Sequence, residues 1–220
     1  MIDVQISQQL RAKCAKVALG CLEAGVEAGP TPAPLEAELR AAEARITKLS
    51  DPRTLLQTPA ILATRAAYKA LGKDPARYRG SAEALLRRLI AGKGFPRINC
   101  VVDVINLVSV ESRLPIGLYD LAQAIGPIEF RAGRAGESYK GIGKYDLNLE
   151  GLPLFADQKG PHGSATSDSE RTMVTKSTKR VLAILVSFGG QSGLEDWNLR
   201  LGELLASHAS GRAIESRVTS

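Results

Sequence analysis

A chain of 220 residues, 44% of them hydrophobic, can bury one substantial core, and domain-size statistics favour one large domain over two small ones. It has no run of about 18 apolar residues and no basic, then apolar, then small-residue leader, so no membrane span or secretory signal is visible and the cytoplasm is the expected location. Cys14, Cys21 and Cys100 are odd in number and at no zinc-ligand spacing, which argues against a disulfide framework or structural metal, while the formal charge of +6 points weakly to a polyanionic partner.

In chain order, Ile2 to Ile6 alternates, QQLRAKCAK after Ser7 reads as a short helix, and Val17 to Val26 reads as a strand. Ala28 to Pro34 is a loop by composition. Leu35, Leu39, Ala42, Ile46 and Leu49 recur at helical spacing and predict an exposed amphipathic helix. Further helices are expected from Thr58 or Pro59 to Leu71, ended by Gly72, and from Ser81, as N-cap, to Ile90. Arg77, Arg79, Arg87, Arg88, Lys93 and Arg97 crowd this stretch around Tyr78 and form a candidate phosphate-contacting face. With only 5% aromatic residues, a single-strand stacking platform is disfavoured.

The run from Lys93 to Asp120 is the most informative. Between Pro96 and Pro115 a helix is expected from about Ile98 to Glu111. At about 100° per residue, Asn99, Asp103 and Asn106 share one stripe, while Val101, Val102, Val104, Ile105, Leu107 and Val108 cover the rest. Buried amides and carboxylates cost roughly 1 to 3 kcal/mol each when unpaired, so this polar seam needs partners, water or a ligand. A purely structural hydrogen-bond network is the competing reading. Beyond it, Ile128 to Ala132, Tyr145 to Leu149, Leu152 to Ala156 and Val181 to Phe188 look like strands, and Leu194 to His208 like a helix that opens the 189–220 helix and tail. Helices first and strands later predict an α+β fold, helices packed on a mostly antiparallel sheet.

Asn99, Val101, Val102, Asp103, Asn106, Val108, Glu111, Pro115 and Asp120 match NxVVDxxNxVxxExxxPxxxxD, and Leu71 to Arg88 matches LGxDPxRxRxSxEALLRR. On these residues the chain resembles the editing module of the bacterial phenylalanyl-tRNA synthetase beta subunit and its stand-alone relatives, most strongly over 68–188. The resemblance implies that module's fold and a tRNA or aminoacyl-tRNA partner, with hydrolysis of a mischarged ester as the activity and no cofactor. The pocket asparagine corresponds to Asn106. The threonine before it is Ile105, the pocket histidine falls at Gly117, and the pocket glutamate falls at Ile184. A pocket lacking those polar partners should not favour a hydroxylated side chain.

Ester hydrolysis needs only an oriented water and oxyanion stabilisation. Asn106 and Asp168 are the catalytic candidates, with Asn99, Asp103, Gly117, Ser169 and Arg171 expected to bind substrate. Asp168, Ser169 and Arg171 lie in the loop expected from Gly160 to Thr175 and are expected to line one cavity with Asn106. His162, in the same loop, is a candidate to replace the histidine missing at Gly117, and His208 reads as a surface or capping residue. The alternative is a non-catalytic module binding RNA, an amino acid or a small ligand. No metal is expected, because Asp103, Glu111, Asp120 and Asp168 have neither EF-hand nor HExxH spacing. Without a GxxxxGK[ST] signature or an aminoacylation core, charging of tRNA by this chain is not expected.

Overall fold

The computed structural model describes residues 1–143 and 145–220. Val4 and Ile6 point inward and Gln5 outward in strand β1 (Val4–Ile6). Ser7 then caps helix α1 (Gln8–Lys13), its hydroxyl accepting from the Leu10 N–H at 3.2 Å. Strand β2 (Ala18–Gly25) is buried at every position, as a strand covered on both faces must be. Helix α2 (Ala33–Thr47) buries Leu35, Leu39, Ala42 and Ile46. Pro34, expected in the loop, joins its first turn, where a missing N–H costs nothing. A 3₁₀ turn (Pro52–Gln57) leads into α3 (Pro59–Ala70), followed by α4 (Ser81–Ile90) and α5 (Cys100–Ser112). Gly80 rather than Ser81 caps α4, because the Ser81 N–H donates to the Ala165 carbonyl at 2.8 Å.

The later half supplies β3 (Ile116–Asp120), β4 (Ile128–Ala132), β5 (Ser138–Lys140), β6 (Asp146–Asn148), β7 (Pro153–Asp157), β8 (Gly160–Ser164), β9 (Arg180–Ser187), α6 (Leu194–His208) and β10 (Arg212–Thr219). They form sheets of order β1-β4-β7-β8 and β10-β2-β9-β3, with β5-β6 as a separate pair. Only β1 with β4 is parallel among the strand pairs of the described residues. The α+β class with mostly antiparallel sheet is therefore the observed one.

Three segments depart from the sequence-based expectation. The residues around Gly117, which lie outside every expected strand, form β3, paired from Ile116↔Leu185 to Asp120↔Val181. Gly160 to Ser164, read as loop, is β8 in a hairpin with β7. The tail is β10, paired with β2 on the sheet edge. Its first five residues are exposed, so it lacks the apolar alternation that marks a half-buried strand.

One face of the β10-β2-β9-β3 sheet carries the helical layer. Leu35, Leu86, Val104, Leu107, Leu201 and Leu204 meet Leu118, Val181 and Leu185 there. Its other face packs on the second sheet through Leu19, Tyr119, Phe130, Phe155, Leu182 and Ile184. Along β3, Leu118 thus faces α5 while Tyr119 faces the inter-sheet core. All three cysteines are unpaired and buried. Burial pushes the Cys21 thiol up to about 12, which makes it inert. No helix of the described residues is long and apolar enough to cross a membrane.

Candidate functional site

The polar stripe of α5 divides in two. Asn99 is the N-cap, its Oδ1 accepting from the Val102 N–H at 3.0 Å. Asp103 is fully buried. It accepts from the Thr31 hydroxyl, which ties in the segment before α2, and from the Ile98 N–H at 3.1 Å. These bonds form a structural network that closes the α5 N-terminus. Asn106 is half-buried and makes no side-chain hydrogen bond among the described residues. Asp120, at the end of the motif, accepts from the Thr178 hydroxyl at 2.7 Å and the Ala122 N–H at 2.9 Å, pinning β3 to the segment before β9.

Gly117 and Ile184 are direct register partners across β3 and β9. A Cβ at Gly117 would fall well inside van der Waals contact distance of Tyr119 Oη, and so would one at Gly163. The Tyr119 hydroxyl therefore occupies the volume that side chains at both positions would need. It donates to Asp168 Oδ1 at 3.1 Å, while the Leu118 N–H donates to Asp168 Oδ2 at 3.2 Å. Burial raises the Asp168 carboxyl to about 7 despite these donors. His162 is fully buried and meets Tyr119 edge-on, ring centroids 4.5 Å apart. Neither of its ring nitrogens has a partner among the described residues. Burial lowers its pKa to about 4, against the charge of Asp157. Ser169 is buried beside it, donating its N–H to the His162 carbonyl at 3.0 Å.

Arg171 is taken up by internal partners. Its guanidinium forks onto Asp157 at 2.8 and 3.0 Å and donates to the Gln123 and Gly160 carbonyls. Asp157 ends β7 in the second sheet, whereas Asn106 belongs to the helical layer on the far side of the first. Against a burial that would raise it, Arg171 holds the Asp157 carboxyl below its ordinary value. His208 is tied to Glu38 at 2.9 Å.

The six residues of the basic cluster, Arg77, Arg79, Arg87, Arg88, Lys93 and Arg97, are all exposed, but they do different things. Arg88 donates to the Lys93 and Gly94 carbonyls and closes the turn after α4. Arg97 pairs with Glu36 and Glu43. Arg77 lies over the Tyr78 ring at 5.4 Å. Arg79 and Arg87 instead line a cleft of about 460 Å³ between α3 and α4, together with Arg65 and Lys69 of α3. Glu83, on α4, has its side chain 3% exposed and accepts from Arg65 at 2.7 and 2.9 Å and from Arg87 at 2.7 Å. Against burial, these arginines hold the Glu83 carboxyl below its ordinary value. Arg65 and Lys69 lie upstream of the basic cluster read from sequence; their spacing of four on a helix was the signal that could have found them. Among the described residues no group of three or more His, Cys, Asp or Glu side chains is placed to hold a metal.

The profile of the B3/4 domain matches residues 63–193, more than half of the chain. The chain belongs to the B3/4 domain family. This domain is that of the phenylalanyl-tRNA synthetase beta-subunit family, so the resemblance to that subunit holds at the level of the domain. No curated protein matches the chain. Among solved structures, this B3/4 protein is similar to an N-terminal fragment of the phenylalanyl-tRNA synthetase beta subunit from Pyrococcus horikoshii, with a TM-score of 0.50 and 15% identity. The match covers 99% of this chain and 54% of the archaeal fragment, so the chain spans about half that fragment's length. At that identity the likeness is one of fold.

Proposed function

We propose that this B3/4 protein is an RNA-binding module with tRNA as its ligand, and that it binds without breaking a bond. The observation that carries the reading is the α3–α4 cleft. Arg65, Lys69, Arg79 and Arg87 line it, with Glu83 holding two of the guanidinium groups in place. The N–H groups that Glu83 leaves free on Arg65 and Arg87, with Arg79 and Lys69 beside them, suit phosphate oxygens at a solvent-facing cleft. Two features weigh against hydrolysis: Gly117 and Ile184 stand where the family has polar groups, and Tyr119 fills the volume over Gly117. Kinship with a tRNA synthetase subunit supports tRNA as the ligand class.

The test is tRNA binding at increasing salt. Affinity should fall steeply, since each neutralised phosphate adds to the salt slope. Arg79→Gln with Arg87→Gln should weaken binding several-fold and flatten that slope. Binding that ignores salt, or none, would sink the reading.

One observation favours a second reading. A carboxyl at about 7 can trade a proton near neutral pH, which fits Asp168 as the base of an aminoacyl-tRNA deacylase. Release of labelled amino acid from correctly and wrongly charged tRNAs separates the two. Selective release lost in Asp168→Asn or Asn106→Ala would make the protein an editing enzyme.

A further inference from the structure

The α3–α4 cleft has a neighbour. On the other side of α3 a second cleft, of about 500 Å³, is lined by Lys13 at the end of α1 and Lys16 beyond it, by Ala63, Ala66 and Ala70 of α3, and by Phe188. Ala66 lines both clefts. The outward stripe of α3 between them consists of Leu62, Ala66, Lys69 and Ala70, all exposed. The result is a ridge about 12 Å long from Leu62 to Ala70, at 1.5 Å per residue, with Ala66 and Ala70 on its crest beside Leu62 and Lys69 and cations on both flanks. We infer that the RNA is engaged as a duplex laid across α3, one backbone against Arg65, Arg79 and Arg87 and the other against Lys13 and Lys16.

This rests on the RNA-binding reading and names the form of the ligand. An A-form minor groove is wide and shallow, with a phosphate backbone along each side. A low helical ridge flanked by cations is complementary to that profile, with Ala66 and Ala70 allowing close approach and Lys69 adding a cation on the crest. A single strand would need aromatic faces on which bases stack. Phe188, the aromatic residue lining the second cleft, is only 7% exposed and packs in the inter-sheet core. Lys13 and Lys16 are exposed on the surface, so changing them should leave the fold intact.

The experiment compares a hairpin RNA of about 12 base pairs, enough to present a full minor groove, with a single strand of equal length, by fluorescence anisotropy over a range of salt. Wild type should bind the hairpin at least about tenfold more tightly. Lys13→Gln with Lys16→Gln should weaken hairpin binding about tenfold and lower its log–log salt slope by between about one and two. Ala66→Glu, which sets an acid where the clefts meet, should weaken it at least as much. Equal affinity for the single strand overturns the duplex assignment, and so does a hairpin affinity indifferent to Lys13 and Lys16, while tRNA binding that still depends on Arg79 and Arg87 keeps the RNA-binding reading. Failure to bind either probe or tRNA overturns both. Melting curves of each variant confirm that the protein tested is folded.

Discussion

The inter-sheet core around Tyr119 and the surface around Arg65 both gather polar side chains, but they satisfy them differently. Around Tyr119 the partners are internal: Asp168 takes the tyrosine hydroxyl and the Leu118 N–H, and Arg171 forks onto Asp157. Around Arg65 the internal partner is Glu83, and the cations it does not use still border an open cleft. A polar group closed into a core reports mainly through stability, whereas one at the rim of a cleft reports through affinity. The two regions should therefore respond to substitution in different measurements.

The largest expected effect lies in the closed region. Gly117→His restores the residue found in the synthetase module, but its Cβ would meet the Tyr119 hydroxyl. Overpacking of this kind should cost about 3 kcal/mol or more in urea unfolding. Combining it with Tyr119→Ala should recover part of the loss. A Gly117→His protein as stable as wild type would show that this region is not closed after all.

The next effect is a pair of cancelling pH dependences. Asp168 has a folded value of about 7 against an ordinary 3.8, so its stabilisation is complete below 3.8 and lost as pH rises through 7. His162 is held at about 4 against an ordinary 6.5, so its stabilisation is complete above 6.5 and lost as pH falls through 4. The slopes oppose one another in the shared window, each worth a few kcal/mol at about 1.4 kcal/mol per pH unit. Wild-type stability should be nearly flat there. Asp168→Asn should expose a rise with pH from the histidine, and His162→Leu a fall from the aspartate. Parallel curves for the two variants would break the account.

Glu83→Gln tests the open region. Arg65 and Arg87 retain partial contact with water, their side chains 27% and 42% exposed, so the lost pairing should cost only about 1 to 2 kcal/mol. The same change removes a buried negative charge from behind two of the arginines that line the cleft, so tRNA affinity at low salt should rise. Lower affinity would mean that Glu83 matters mainly by positioning the guanidinium forks.

Much of this contrast was hidden in the sequence for local reasons. The helical period around Val101 to Val108 located α5 to within two residues at its start and one at its end. The same period could not say that Asp103 would be matched by Thr31, which lies on another segment. Gly160 and Gly163 fall in an expected loop, yet they stand in β8, as Gly117 does in β3. At Gly117 and Gly163 the Tyr119 hydroxyl takes the side-chain space, a tertiary fact. Arg171 looked free for a ligand because its partner Asp157 becomes a neighbour only through the β7–β8 hairpin. Arg79 and Arg87 were legible from their cluster, whereas Arg65 and Lys69 join the cleft only once α3 packs beside α4.

The smallest effects separate two residues that the helical period placed on one stripe. Asn99→Ala removes the cap acceptor of the Val102 N–H and should cost about 1 kcal/mol. Asn106→Ala removes an amide with no hydrogen-bond partner among the described residues and installs a better helix former, so stability should move by no more than about 0.5 kcal/mol. tRNA affinity should not change either, because Asn106 lines neither cleft flanking α3. If Asn106→Ala instead keeps its stability and its tRNA affinity but abolishes a measurable release of amino acid, a side chain without structural work would have a catalytic one, and the deacylase reading would displace the binding module.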